Sequence, residues 1–310
     1  MRRTISFFAF ACSVQAAFGA PAAERASINR RTGLFEPPAS DLRKAAERGD
    51  RAELSRAATR LGPARIARLL ADPDRKTVLA ALDAAPLLDA GVLLLEPMLP
   101  LLASSDDGVR ARAVSATMAL FAQTDPCRLD DNEVAPETVL AICRALALAA
   151  ANEGERLSTR LDAVQGLVDA GAACTNYLKL DVLLTSREPE IRRAAVLAEG
   201  AGAKTQASLL AASKDSDGRV AVAAAARLCK LLGAKRIALP PMHDWVVTEA
   251  VLAEDVVDLL PCLASSADPA DQKALAELAE TGRAPIRDAI KRLRESRLSH
   301  PIAESPTKKP

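Results

Sequence analysis

The sequence predicts an all-α protein assembled from recurring pairs of short helices. Three observations lead there. First, residues 99–116, LPLLASSDDGVRARAVSA, show a pattern that recurs along the chain: an apolar helix end, a short acidic turn, then a helix with alanine four residues past its start. Second, no stretch alternates Val, Ile or Thr at strand length, as a half-buried strand would. Third, aromatic residues make up only 3% of the chain. Beyond the leader they reduce to Phe35, Phe121, Tyr177 and Trp245. Such a core must be filled by Leu, Val, Ile and Ala across many short interfaces, which suits helix pairs that bury their faces against their neighbours.

In chain order, the first segment reads as a cleavable export signal spanning 1–22. Arg2-Arg3 is a basic start, residues 5–17 are apolar, and Ala20-Pro21-Ala22 offers an A-x-A cleavage site. The uncharged run of about 20 residues is nominally long enough to span a bilayer, but Ser, Gln, Gly and Pro dilute it. Tethering as a lipoprotein through Cys12 is disfavoured by the bulky Phe10. The twin arginines leave Sec and Tat export both open. Residues 23–40, with Pro37-Pro38, are expected to be a flexible linker. Asp41 is expected to cap a helix to about Arg48, and Gly49-Asp50 turns the chain into a second ending near Gly62. That pair, 41–62, is read as an N-terminal cap with a polar outer face. Pro63 suits the first turn of the next helix.

The repeating part follows. The residues that open a helix after each acidic turn are Thr77, Val109, Thr159, Ile191, Val220 and Ala270, about 32, 50, 32, 29 and 50 residues apart, in or near the range of helical-repeat units. Alanine stands four residues on, at Ala81, Ala113, Ala163, Ala195, Ala224 and Ala274, where it lets helices approach closely. Asp74, Asp107, Glu155, Glu188, Asp217 and Asp268 precede these starts and are expected to cap them. Residues 99–105, LPLLASS, nearly recur at 260–266, LPCLASS.

The run L-x-P-x-L-P-L-L followed by D-D-x-V-R-x-x-A resembles the HEAT repeat, a pair of antiparallel helices. The resemblance covers roughly 63–280 and implies an α-solenoid of about six to seven such pairs with a right-handed superhelix. It also implies kinks at Pro97, Pro100 and Pro261. Val109-Arg110 and Ile191-Arg192 match the start of the family's second helix, with Thr159-Arg160 a near match. The resemblance further implies an inter-repeat ladder through Arg110, Arg160 and Arg192, with Asp107 and Glu188 as its acids. Val78, Ala221 and Asp271 occupy the arginine position elsewhere, which would confine the ladder to the middle of the chain.

Two interruptions break the rhythm, at 124–136 and 239–245, and loops inserted into repeats often bind partners. Met242, His243, Asp244 and Trp245 are the candidate partner-binding loop; the alternative is that Trp245 fills a gap between loop and helix. Residues 282–298 form a last helix rich in Arg and Lys. It reads either as a basic patch for an anionic partner or as a solvated capping helix. Residues 299–310 are expected to be a disordered tail.

The chain carries 41 Lys and Arg against 40 Asp and Glu, a net charge of +1. Loss of 1–22 removes Arg2 and Arg3 and no acid, so the balance stays near zero. That lacks the basic footprint of a nucleic-acid binder. His243 and His300 are the only histidines, which leaves no H-E-x-x-H, no zinc-spaced cluster and no credible catalytic triad. No phosphate-binding glycine loop is present. No cofactor, metal or catalytic residue is therefore expected, and no membrane span after signal cleavage. Of the 6 cysteines, Cys127, Cys143, Cys174, Cys229 and Cys262 would remain after export into an oxidising compartment. A disulfide Cys127–Cys174 is expected, with Cys143 as the alternative partner of Cys127. Cys229 and Cys262 are placed at opposite ends of their layer, beyond the ~7 Å Cα limit for bridging. The expected function is that of an exported, non-catalytic scaffold binding another protein in the periplasm, the cell envelope or outside the cell. The rivals are an enzyme, such as a lyase, using the stack as a cradle, and an envelope component tethered through Cys12.

Overall fold

The computed structural model describes residues 39–123, 134–198, 203–233 and 242–299. Among these, all regular structure is helical. The leader with Cys12, most of the linker, Cys127, residues 239–241 and the tail lie outside the described residues. The chain divides into two compact units, Met1–Ile142 and Cys143–Pro310.

In the N-terminal unit, α1 (Ala39–Arg48) begins two residues inside the expected linker. Gly49, at φ 66°, turns the chain, a conformation that glycine adopts without Cβ strain. Asp50 then caps α2 (Arg51–Leu61) through the Glu53 amide. Pro63 opens α3 (Pro63–Leu70) where no amide donor is needed. Asp74 caps α4 (Arg75–Ala84). Prolines break up the next stretch: 3-10 turns over Gly91–Leu94 and Leu99–Ala103 flank the single turn α5 (Leu95–Met98). Proline cannot supply the missing amide bonds of a continuous helix. The long α6 (Asp107–Gln123) follows. Helices α1, α4 and α6 pack each against the next, with α3 and the 91–103 turns alongside.

The division between units falls within α7 (Pro136–Ala151). The C-terminal unit continues with α8 (Leu157–Asp169), α9 (Ala172–Thr175), α10 (Leu180–Leu184), α11 (Pro189–Ala198), α12 (Ala203–Ala212), α13 (Gly218–Leu232), α14 (His243–Val246), α15 (Ala253–Leu263), α16 (Pro269–Thr281) and α17 (Ala284–Ser299). Helices α8, α11, α13, α15 and α17 form a row, each packed on the next. Helices α10, α12, α14 and α16 accompany them, packed against α11, α13, α13 and α17 respectively. Helix α13 is apolar nearly all round, and every residue from Val220 to Ala226 is buried, as its place between α11 and α15 requires.

The recurring alanines sit at these contacts. Ala81, Ala113, Ala163, Ala195 and Ala224 are 0% exposed and Ala274 4%. The carboxylate caps differ in part from expectation. Asp74, Asp217 and Asp268 accept amide bonds at helix starts. At α6 the cap is Asp106, whose Oδ1 accepts from the Val109 amide at 2.9 Å, not Asp107. Helix α8 opens on Arg156 with no side-chain cap. Ahead of α11, Ser186 Oγ accepts from the Glu188 amide.

The register after α13 also differs. Ala270 opens α16, which belongs to the accompanying helices, whereas the next member of the row is α15. The spacing of about 50 residues therefore skips a helix. The short α14 conceals the step, and α15 lacks the acidic-turn signature at its start.

Candidate functional site

Two constructions organise the polar residues: a ladder of arginines and aspartates along each row of helices, and a groove in the N-terminal unit. In the N-terminal unit, Arg43 Nη1 donates to Asp74 Oδ2 at 2.8 Å. Arg75 Nε donates to Asp106 Oδ2 at 2.7 Å. Each step spans 31 residues. Return pairs run between the same helices, Lys76 to Glu47 and Arg112 to Asp83, both at 3.1 Å. The Thr77 hydroxyl and the Arg43 guanidinium hold the Asp74 carboxyl below its ordinary range. The Arg75 guanidinium and the Val109 amide lower Asp106 to about 2.

In the C-terminal unit the ladder is better shielded. Arg160 is 4% exposed; its Nε donates to the Ala150 carbonyl at 3.0 Å and its Nη2 to Ser186 Oγ at 3.1 Å. Arg192 donates to the Ser186 carbonyl at 2.9 Å. It also grips Asp215 through Nε and Nη2 at 2.7 and 2.8 Å. Burial pushes the Asp215 carboxyl up, but Arg192 and the Asp217 amide outweigh it and leave it lowered. Arg219 returns to Glu190 at 2.8 Å. A longer link joins Arg193 on α11 to Asp255 on α15 at 2.7 Å, bridging 62 residues. Burial raises the Asp255 carboxyl despite Arg193 beside it.

The ladder therefore differs from the arrangement implied by the resemblance. Arg160 and Arg192 do reach from one row helix toward the next. Arg110 donates to the Ser104 carbonyl and to Asp107 within its own turn. Glu188 is exposed and offers its backbone carbonyl to Ile191 and Arg192. The acids of the ladder are Asp74, Asp106 and Asp215. Nor is the ladder confined to the middle, because Arg43 and Arg75 lie outside the Val-Arg position.

The groove holds about 460 Å³ and crosses α2, α4 and α6. Leu54, Leu82, Pro86 and Leu87 line its apolar part. Arg51, Asp83, Arg112, Ser115 and Gln123 supply polar groups. Burial raises the Asp83 carboxyl, opposed by Arg112 across the groove. Arg51 projects from the first turn of α2 and pairs with no carboxylate among the described residues. The surface can thus take an extended segment with apolar and acidic side chains. Sequence reading missed it because its residues come from three helices and share no motif.

The candidate loop is placed differently. Met242 is 1% exposed in the core around α13 and α15. The Trp245 ring lies directly over Gly218, where any Cβ would collide with it, and packs against the same core. His243 Nε2 is 3.6 Å from Asp244 Oδ1, too long for a hydrogen bond. Its Nδ1 is enclosed without a partner among the described residues. Asp244 is exposed.

The cysteine expectations need correcting. Cys174 bonds Cys143, with Cα atoms 5.1 Å apart, and not Cys127, which lies outside the described residues. Cys229 and Cys262, expected to be too distant, are bonded with Cα atoms 6.0 Å apart. Both sit in the last turns of α13 and α15, neighbours in the same row, so their ends coincide. Among the described residues no group of three or more His, Cys, Asp or Glu is placed to hold a metal. None of their helices is long and apolar enough to cross a membrane. Compared with models of known protein families and with curated proteins, the chain matches none of them.

Proposed function

We propose that this chain is an exported, non-catalytic scaffold of HEAT-like α-solenoid type, with the right-handed superhelix that its repeats imply, and that it binds a protein partner in the cell envelope or outside the cell. The observation that carries the binding reading is the groove across α2, α4 and α6, with apolar residues beside the Asp83–Arg112 pair and an available Arg51. The repeat reading is supported by the recurrence of ladder steps and disulfide spans at 31 to 33 residues, about one repeat each. Export is supported by the two disulfides, which persist in oxidising compartments.

The test is a photo-crosslinking residue placed at Ser115, in the groove, or at Ser55, on α2 outside it, in cells secreting the chain. A discrete adduct from Ser115, absent from Ser55 and lost when Leu87→Asp is added, is the expected result. No adduct, or the same adduct from both sites, rejects the groove. Intact mass of the processed chain tests export separately: removal of 1–22 is expected, and retention inside the cell overturns it.

A further inference from the structure

Helix α17 carries a row of cations. Arg283 stands immediately ahead of it, and Arg287, Lys291 and Arg294 follow at spacings of four, four and three, which aligns them along one side. The row is about 16 Å long at the helical rise. All four residues are exposed. The acids of the helix, Asp288 and Glu295, stand three residues before and four after Lys291, so they neighbour the row at that one position and leave Arg283, Arg287 and Arg294 without an acid of the helix at neighbouring spacing. Ile286 and Ile290, 1% and 2% exposed, seat the helix in the core and fix which side the cations occupy. Arg283 donates to the Val251 carbonyl and Arg287 to the Gly282 carbonyl at 2.6 Å. Neither acceptor is charged, so both guanidinium charges stay available. Lys291 and Arg294 have no partner among the described residues.

We propose that this row docks the protein on an anionic membrane surface, its ligand being the phosphate headgroups of acidic lipids. Two features favour a lipid surface over an acidic protein. Protein interfaces rely on desolvated aromatic or aliphatic anchors at their centre, and none of the described side chains of α17 is an exposed large apolar residue. The apolar side of α17 is committed to the core, so contact is adsorption by charge alone, with no insertion. A net charge of +1 over the whole chain provides little general attraction, so the local row must supply it.

The experiment is sedimentation of the purified secreted chain, after loss of 1–22, with vesicles of phosphatidylglycerol and phosphatidylcholine, against vesicles of phosphatidylcholine alone. Binding to the anionic vesicles only, weakening steeply with salt, is expected. Each neutralised cation should cost about fivefold in partitioning, and Arg287→Gln, Lys291→Gln and Arg294→Gln together about a hundredfold. A charge-matched α2 variant, Arg56→Gln and Arg60→Gln with Arg68→Gln on α3, should bind as the unaltered chain does. Absence of binding to anionic vesicles at low salt overturns the proposal. So does equal binding to neutral vesicles, or equal loss in the α2 variant.

Discussion

Replacing both Cys229 and Cys262 with alanine removes a cross-link between α13 and α15 without removing any other buried polar group. The two residues are 33 apart in sequence. In the chain-entropy account, a closed loop of that length restricts the unfolded state by about 4 kcal/mol at 25 °C. The two bonded residues are 5% and 6% exposed, so loss of their packing adds a smaller term of the same sign. For a unit of this size, about 4 kcal/mol corresponds to a fall in Tm of roughly 8–16 °C. The assay is thermal and urea unfolding of the double variant beside the oxidised wild type, both followed by far-UV circular dichroism. Thiol titration of the denatured wild type supplies the covalent count, with Cys143, Cys174, Cys229 and Cys262 expected to be unreactive. A double variant within 1 kcal/mol of wild type would refute the reasoning. Reactive Cys229 and Cys262 in the native secreted protein would refute it at an earlier step, because the bond would not exist.

Three further outcomes follow from single residues. Asp106 has a folded-state pKa of about 2, below its unfolded value near 3.9; its contribution is complete above about pH 4 and lost as pH falls through 2, so Asp106→Asn should flatten acid unfolding in that window. Gly218→Ala places a methyl group where the Trp245 ring lies, and since the chain has one tryptophan, a red-shifted emission should report the displaced ring; an unchanged spectrum counts against that packing. Arg160→Met leaves Ser186 Oγ and the Ala150 carbonyl without their donor and should cost about 1–3 kcal/mol in urea unfolding, whereas exposed Leu148→Ala should stay within about 0.5 kcal/mol.

The helical class was legible because it depends on local terms: alanine at the contact position, carboxylates at helix starts and the absence of strand-length alternation. Spatial order was less so. LPLLASS and LPCLASS are nearly the same heptapeptide, yet the first forms a 3-10 turn beside α6 and the second ends the row helix α15. Two prolines, Pro97 and Pro100, break the first stretch into single turns, while Pro261 alone is absorbed in a continuous α15. A window of seven residues does not carry that difference. The Cys229–Cys262 bond was misjudged for the same reason, since assigning α15 to the wrong set of helices reverses which ends meet. The groove was illegible for another reason: Arg51, Asp83 and Arg112 are brought together only by the packing of α2, α4 and α6.

The ladder shows why aspartate repeats more strictly than arginine here. Each ladder carboxylate meets two demands at once. Asp106 accepts from the Val109 amide and from Arg75; Asp74 accepts from the Lys76 amide, the Thr77 hydroxyl and Arg43; Asp215 accepts from the Asp217 amide and both arms of Arg192. The amide bond ties the acid to the turn just ahead of a helix, because its side chain is short and must reach orphan donors there. Arginine has no such tie. Its long stem reaches the same carboxylate from different starting points, from mid-helix at Arg43, from the first residue of α4 at Arg75 and from the first turn of α11 at Arg192. A pattern keyed to Val-Arg therefore passes over Arg43 and Arg75, which make the connection. In helix rows held this way the acidic turn is the recurring physical requirement, and the cation is whichever arginine lies within reach.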